Sequence, residues 1–189
     1  MTIRRLTYDE LHPELQELLR PKVERLGYLG EFFAVAGHQP AATAGFQVFT
    51  ESLKEALPAE LSETVALAVA SALGNDYERS QHEQLASRLG FSEPWIAAAE
   101  GRSGEPALSE PVLSDAAQAA RTLAMTILDG MGHGARSALE RLVDIAGEEV
   151  AVGVLLTVGR YVAHAVVSNT LELAAPVPFV VADAAEAPT

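Results

Sequence analysis

Hydrophobic residues recur every three or four positions along most of the chain, a spacing that places them on one face of an α-helix. The strict alternation that is typical of a β-strand is almost absent. Prolines and small polar residues precede the periodic segments and glycines follow them, as expected at helix starts and ends. The pattern predicts about eight helices, over residues 13–26, 40–56, 59–74, 75–89, 92–100, 114–128, 135–146 and 148–173.

The predicted helices form one domain. Gly101–Pro111, a loop rich in Gly, Pro and Glu, is the one candidate boundary in the sequence, and neither side of it resembles a self-sufficient unit. We therefore expect a single all-α domain over residues 1–181. The small and acidic residues 182–189 are expected to form a disordered tail.

The helix at 59–74 has no polar face after Thr64. A helix that is apolar around its whole circumference must be covered on all sides. Other helices of the chain can supply that cover, but such wide apolar coverage also suggests a subunit interface. The sequence therefore predicts a homo-oligomer.

Composition excludes several functions. The chain has 26 acidic and 13 basic residues and no basic run, so we expect it to bind neither nucleic acid nor an anionic membrane surface. It has no cysteine, which excludes thiol-based redox chemistry and thiolate metal sites. The apolar stretch Val150–Val167 contains Arg160 and His164 and is too short to cross a bilayer. With no signal peptide at residues 1–11, we expect a cytoplasmic protein.

Glu78 and His82 are candidates for acid/base chemistry. They lie one turn apart at the head of the apolar face of helix 75–89, so both are expected to point inward. A buried carboxylate and imidazole must be paired, and at this spacing they can pair with each other. Such a pair has pKa values suited to proton transfer near neutral pH. That apolar face continues through Leu85, Ala86 and Leu89, and the other side of the helix carries Arg79, Ser80, Glu83, Ser87 and Arg88.

From spacing alone, a structural role for these two residues is the favoured interpretation. Asn75 and Glu78 have the spacing of a helix capping box, and His82 fits a histidine at the edge of the core. A metal site is the weakest alternative, because the spacing is Glu-x-x-x-His rather than the Glu-x-x-His of di-iron helical bundles. We therefore expect no metal.

Glu63 is the second carboxylate of interest. It lies in the first turn of helix 59–74, where the helix dipole favours a negative charge, and that alone accounts for it. In an antiparallel hairpin through Gly74, however, Glu63 would lie ~16 Å and His82 ~12 Å from the turn. The two side chains can then approach each other if they face one another.

Three more residues are candidates for substrate binding: Tyr77, Arg160 and His38. Arg160 could hold a substrate carboxylate with two hydrogen bonds. Arg160 belongs to a polar stripe along the last helix, which comprises Thr157, Arg160, His164 and Ser168. The favoured interpretation of this stripe is nevertheless an exposed helix face. His38 precedes a proline that opens a helix, where a plain turn is the simpler interpretation.

Two segments, Ser62–Ala70 and Leu73–His82, resemble the signature helix pair of the carboxymuconolactone decarboxylase/alkylhydroperoxidase-D superfamily. The resemblance covers roughly residues 40–100 and is weaker over 147–178. It implies a helical bundle of the alkylhydroperoxidase-D type that assembles as a dimer, trimer or hexamer.

The resemblance also constrains the chemistry. In the peroxidase branch, the positions that match Asn75 and Glu78 are the two cysteines of Cys-x-x-Cys, which this chain lacks. It therefore implies the decarboxylase branch: an enzyme without a cofactor that acts on a small organic acid, lactone or enol. Glu63, Glu78 and His82 would be its catalytic residues. The alternative is a non-catalytic oligomeric scaffold or small-ligand-binding protein that has lost the peroxidase cysteines.

Overall fold

The computed structural model describes residues 3–102 and 112–181, and these residues form helices and connecting turns without a strand. The prediction of an all-α fold is confirmed. The helices of the described ranges are a short 3-10 turn at Tyr8–Glu10 followed by α1 (Pro13–Leu26), α2 (Glu31–Ala36), α3 (Pro40–Ala56), α4 (Ala59–Ala72), α5 (Asp76–Arg88), α6 (Glu93–Glu100), α7 (Asp115–Gly130), α8 (Arg136–Ala146) and α9 (Glu148–Thr170).

All eight predicted helices are present, with ends that shift by a few residues. The sequence pattern does not predict α2, a six-residue helix in which Phe32, Phe33, Ala34 and Val35 are all buried. A segment this short and this uniformly apolar shows no helical period. Most of the predicted loop (103–111) and the predicted tail (182–189) lie outside the described residues.

The chain divides into two compact units, residues 1–55 and 56–189. In the first unit, α1 buries Leu15 and Leu19 and continues through Pro21. It ends at Gly27, whose φ of +81° favours glycine and whose N–H donates to the carbonyl of Val23. That residues 1–181 form a single domain stays a prediction.

In the second unit, α4 is the central helix and packs against α5, α6, α7 and α9. Every residue from Leu61 to Ala70 is buried. Close packing is helped by Gly153 of α9, where an added Cβ would lie 2.8 Å from a methyl carbon of Leu57. The cover that the apolar helix requires is therefore supplied by the same chain, so this helix does not itself require a subunit interface.

The orientation of α9 corrects one prediction. The polar stripe that was expected to be exposed is buried: Arg160 is 8% exposed, His164 3% and Ser168 1%. The exposed face is instead apolar and includes Val152, Leu156 and Val166. The physical reason is that the polar side chains find charged and hydrogen-bonding partners inside the bundle, as described below, which removes the penalty for burying them.

Residues 148–170 also form a longer helix than the apolar stretch considered above. By length and composition alone, this 23-residue helix could cross a membrane. Half of its most apolar window is buried inside the chain, and the core helix of a globular protein passes the same test. We interpret α9 as a core helix because its charged residues pair with other helices of the bundle.

Helix α5 departs from the prediction in a similar way. Arg79, Ser80 and Glu83, which were assigned to the side away from the core, are buried, and Leu89 is 49% exposed. The cause is that residues 177–181 pack against this side of α5, with Gln84 Nε2 donating to the carbonyl of Pro178.

Replacing Leu123 tests the packing around α4. This α7 side chain is fully buried in the core cluster, so Leu123→Ala is expected to lower the free energy of unfolding by about 3 kcal/mol. The exposed Leu89 supplies the control, because Leu89→Ala is expected to change stability by less than about 0.5 kcal/mol. Urea denaturation followed by circular dichroism measures both, and equal effects would contradict the assigned core.

Self-association stays a prediction, and the exposed apolar face of α9 is where we expect it. Light scattering after size-exclusion chromatography should show an oligomer for the wild-type chain. Leu156→Lys should lower the measured mass, because it places a charge in the middle of that face, whereas Leu89→Lys should not. A wild-type monomer at high micromolar concentration would contradict the prediction.

Candidate active site

The turn between α4 and α5 determines where the side chain of Glu78 points. Gly74 has a φ of +60°, and the N–H of Asn75 donates to the carbonyl of Ala70 at 2.8 Å. The Asn75 side chain accepts from the N–H of Glu78 at 3.3 Å and so caps α5. Because the N–H of Asn75 already has a partner, Glu78 does not complete a capping box. Its carboxylate is available for tertiary contacts.

His82 contacts a group through each ring nitrogen. Nδ1 lies 2.7 Å from Oε2 of Glu63, so the antiparallel hairpin does bring these two side chains together. Nε2 lies 3.0 Å from the hydroxyl oxygen of Tyr161 on α9 and 3.6 Å from Oε2 of Glu78. The imidazole is thus held between two carboxylates, with a phenol beside the second nitrogen.

Glu78 connects this histidine to α9. Its Oε2 accepts from Nη1 of Arg160 at 2.7 Å, and its Oε1 lies 3.2 Å from Nε2 of His164. His164 is in turn fixed by Ser168, whose hydroxyl lies 3.1 Å from Nδ1, and by Tyr77, whose ring stacks on the imidazole at 5.9 Å between centroids. Three helices therefore contribute to one continuous polar network.

This network is buried. Glu63 and Glu78 are each 5% exposed, and His82 keeps 11% of its side-chain surface exposed. Charges removed from water are tolerated when they are paired and hydrogen-bonded, and removing one partner is strongly destabilising. The pairing within this network is therefore needed for the stability of the fold, independently of any catalytic role.

Proton affinities in the network are shifted in opposite directions. Burial lowers the pKa of His82, but the charge and hydrogen bond of Glu63, and then Glu78, outweigh burial and raise the pKa to about 9. Burial raises the pKa of Glu78, but the neighbouring His164 and Arg160, and then His82, hold it well below its usual value. At neutral pH the site therefore contains an imidazolium beside ionised Glu78.

The three predicted substrate-binding residues lie in different places. Tyr77 and Arg160 both belong to the buried network, where Arg160 is paired with Glu78. His38 lies in the first unit, exposed, with Nε2 2.8 Å from the carbonyl oxygen of Arg4. Within residues 3–102 and 112–181, no group of three or more His, Asp or Glu side chains is arranged to hold a metal ion.

Sequence reasoning missed two members of the site. Tyr161 was not singled out as a site residue, because one aromatic residue on an apolar helix is most simply part of the core. His164 was recognised only as part of a stripe taken to be exposed. The available signal was the helical period, which places His164 one turn after Arg160.

Comparison with known proteins supports the resemblance. The sequence model of the carboxymuconolactone decarboxylase family matches residues 37–122, a range that includes Glu63, Glu78 and His82 but not the α9 residues. A search of curated proteins found no match.

Solved structures share the fold. A cysteine-to-alanine variant of the debrominase Bmp8, in complex with 2,3,4-tribromopyrrole, superposes with a TM-score of 0.72 at 18% identity, covering 91% of this chain and 90% of that chain. Bmp8 without ligand gives a TM-score of 0.69 at 18% identity, covering 86% of each chain. Residues 37–122 thus match the sequence model of the carboxymuconolactone decarboxylase family, in a chain that has no cysteine.

Proposed function

We propose that this protein is an acid/base enzyme without a cofactor, a lyase or isomerase that acts on a small organic acid, lactone or enol in the cytoplasm. The observation that carries the proposal is the contact of His82 with Glu63 through one ring nitrogen and with Tyr161 and Glu78 through the other. Decarboxylation is the reaction that the family name favours.

His82 is suited to deliver a proton through Nε2. Glu63 accepts the Nδ1 hydrogen bond at 2.7 Å, which orients the ring and stabilises its charged form. The transferable proton is then on Nε2, the nitrogen that faces Tyr161 and Glu78. With a pKa of about 9, His82 carries this proton at neutral pH and serves as a general acid.

In the proposed step, a proton replaces the carboxylate group of the substrate. The bond between the substrate carboxylate and its neighbouring carbon breaks, carbon dioxide leaves, and the electron pair remains on that carbon as an enolate or dienolate. His82 Nε2 transfers its proton to this carbon and becomes neutral. Solvent returns the proton, so each turnover consumes one proton from water.

Glu78 and Arg160 position the acid and do not exchange protons in this scheme. The low pKa of Glu78 keeps it ionised, and its ion pair with Arg160 fixes its carboxylate 3.6 Å from His82 Nε2. Arg160 therefore supports the site through Glu78, a role that differs from the substrate clamp considered from the sequence. The hydroxyl of Tyr161 lies 3.0 Å from His82 Nε2, the nitrogen that would donate the proton.

A thiol-based reaction is not available to this chain. The crystallised Bmp8 variant differs from its parent by loss of a cysteine, whereas this chain has no cysteine at any position. Halogen removal by a thiolate is therefore not part of the proposal.

Proton transfer can be detected before the natural substrate is known. The probes are carboxymuconolactone and a panel of small lactones and keto acids in D₂O, followed by proton NMR for decarboxylation and for exchange of carbon-bound hydrogen. We expect turnover by the wild-type protein, a loss of at least about 100-fold in His82→Gln, and a comparable loss in Glu63→Gln.

The exposed Glu149 of α9 provides the matched control, because Glu149→Gln should leave the rate unchanged. The scaffold alternative predicts a different result. His82→Gln would then lower the free energy of unfolding by about 3 kcal/mol, as expected for a broken buried pair, while the wild-type protein would exchange no substrate hydrogen. That outcome across the whole panel would overturn the proposal.

The pH dependence separates an acid from a base. If His82 donates a proton, kcat/KM should be constant up to about pH 8 and fall tenfold per pH unit above about pH 9, because the protonated form disappears. A catalytic base would give a rate that rises through the same range. In Glu63→Gln the falling limb should move to lower pH, because Glu63 is the leading cause of the raised pKa.

The same ionisation affects stability. The pKa of His82 is raised from 6.5, so its stabilising contribution is complete below pH 6.5 and is lost as the pH rises through about 9. Urea denaturation of the wild-type protein should therefore show a decline over that interval that is absent in His82→Gln. An equal decline in both proteins would assign the effect to another group.

A further inference from the structure

A second buried charge cluster lies outside the proposed active site. Glu83 follows His82 in α5, yet it is fully buried and its carboxylate has different partners. Its Oε2 accepts hydrogen bonds from the backbone N–H groups of Val180 and Val181, at 2.5 and 2.9 Å. Residues 177–181, which we name the C-terminal strap, are thus fastened to α5 by this carboxylate.

Glu100, the last residue of α6, completes the cluster. Its Oε2 accepts from Nε of Arg102 at 2.5 Å, and Nη2 of Arg102 lies 3.6 Å from Oε1 of Glu83. The same guanidinium group donates to the carbonyl of Val181 at 3.3 Å. The cluster therefore holds the strap through both its N–H and its carbonyl groups.

Two oxygen atoms of the cluster are unsatisfied. Oε1 of Glu83 and Oε1 of Glu100 are both buried, and neither has a hydrogen-bond partner within the described part of the chain. Both carboxylates contact the one guanidinium group of Arg102, and this single cation cannot balance two buried negative charges. A buried carboxylate oxygen without a donor is costly, and protonation of one carboxyl group removes one negative charge, so the geometry favours one proton on this pair.

We propose that the carboxyl pair of Glu83 and Glu100 holds one proton, and that this proton fastens the C-terminal strap to α5, so that the strap is docked at acidic pH and released at alkaline pH. This proton-operated latch lies next to the proposed active site, because Glu83 directly follows His82 in α5. It is independent of the reaction proposed above.

The charge of the cluster explains why the strap is released at alkaline pH and not at acidic pH. Among the described residues, the protonated cluster contains one carboxylate, one carboxylic acid and the Arg102 guanidinium. When the proton leaves, two adjacent buried carboxylates face that guanidinium, and their repulsion is not screened by water. Release of the strap exposes the cluster to solvent and relieves this repulsion.

Two other arginines nearby, Arg121 and Arg79, have contacts of their own. Arg121 on α7 donates through Nε to the carbonyl of Ala99. Arg79 on α5 pairs with Asp76 and lies over the ring of Phe179 in the strap, 4.2 Å from the guanidinium carbon to the ring centroid. Arg79 thus adds a contact to the strap that does not depend on the proton.

The pKa of Glu100 is consistent with a proton on this pair and sets the pH range over which the strap is released. Burial, and then the hydrogen bond and charge of Glu83, raise the pKa of Glu100 to about 7, while Arg102 opposes the shift. A carboxyl group whose folded-state pKa is raised stabilises the folded, docked form fully below pH 4.5. That contribution is lost as the pH rises through about 7.

Amide hydrogen exchange at Val180 and Val181 tests the latch in the intact protein. We expect their protection, corrected for the pH dependence of intrinsic exchange, to fall about tenfold between pH 5.5 and pH 8.5. Glu100→Gln, which keeps a hydrogen-bond donor and loses the ionisation, should retain protection at both pH values. The exposed Glu93 of α6 gives the control, because Glu93→Gln should behave like the wild-type protein.

If the protection of the Val180 and Val181 amides in the wild-type protein did not change with pH, the proposal would be overturned without the need for any variant. The proposal would also be overturned if Glu100→Gln were folded by circular dichroism and still lost protection with the wild-type pH profile. Glu83→Gln removes the carboxylate that holds both N–H groups, and we expect it to lower protection at both pH values. Wild-type protection in Glu83→Gln would also contradict the latch.

Discussion

The described structure depends on one constraint: a charge removed from water must find a partner of opposite sign. Glu63, Glu78 and His82 lie in the interior of the second unit, where an unpaired carboxylate would cost several kcal/mol. The constraint is met because His82 bridges the two carboxylates and Arg160 reaches Glu78 from α9. The same pairing that makes burial tolerable raises the proton affinity of the imidazole, so stability and proposed chemistry have a common cause.

Glu78 in α5 and Glu100 in α6 show how a neighbouring charge decides the pKa of a buried carboxyl group. Glu78 is buried beside cationic or protonatable groups, so its pKa is held low and it stays ionised. Glu100 is buried beside the carboxylate of Glu83, so its pKa is raised and it retains a proton near neutrality. Burial acts on both in the same direction, and the sign of the neighbouring charge reverses the result for one of them.

Helical periodicity was sufficient to predict the bundle and the hairpin that carries the candidate site. It placed Glu78 and His82 on one inward face and allowed Glu63 to meet them, because these residues lie close in sequence. It could not orient α9, since a polar stripe has the same period whether it faces solvent or a buried carboxylate. Arg160 is inside because Glu78, 82 residues away, provides its partner, and Glu83 is buried because the C-terminal strap covers it.

The central claim is that His82 is held as an imidazolium by Glu63, and the most direct test is an NMR titration of the His82 ring protons in the wild-type protein and in Glu63→Gln. We predict a wild-type pKa of about 9 and a clearly lower value in the variant. A wild-type value near 6.5, unchanged by the substitution, would mean that the contact between the two side chains does not control the proton. That result would contradict the account of both the site and its chemistry.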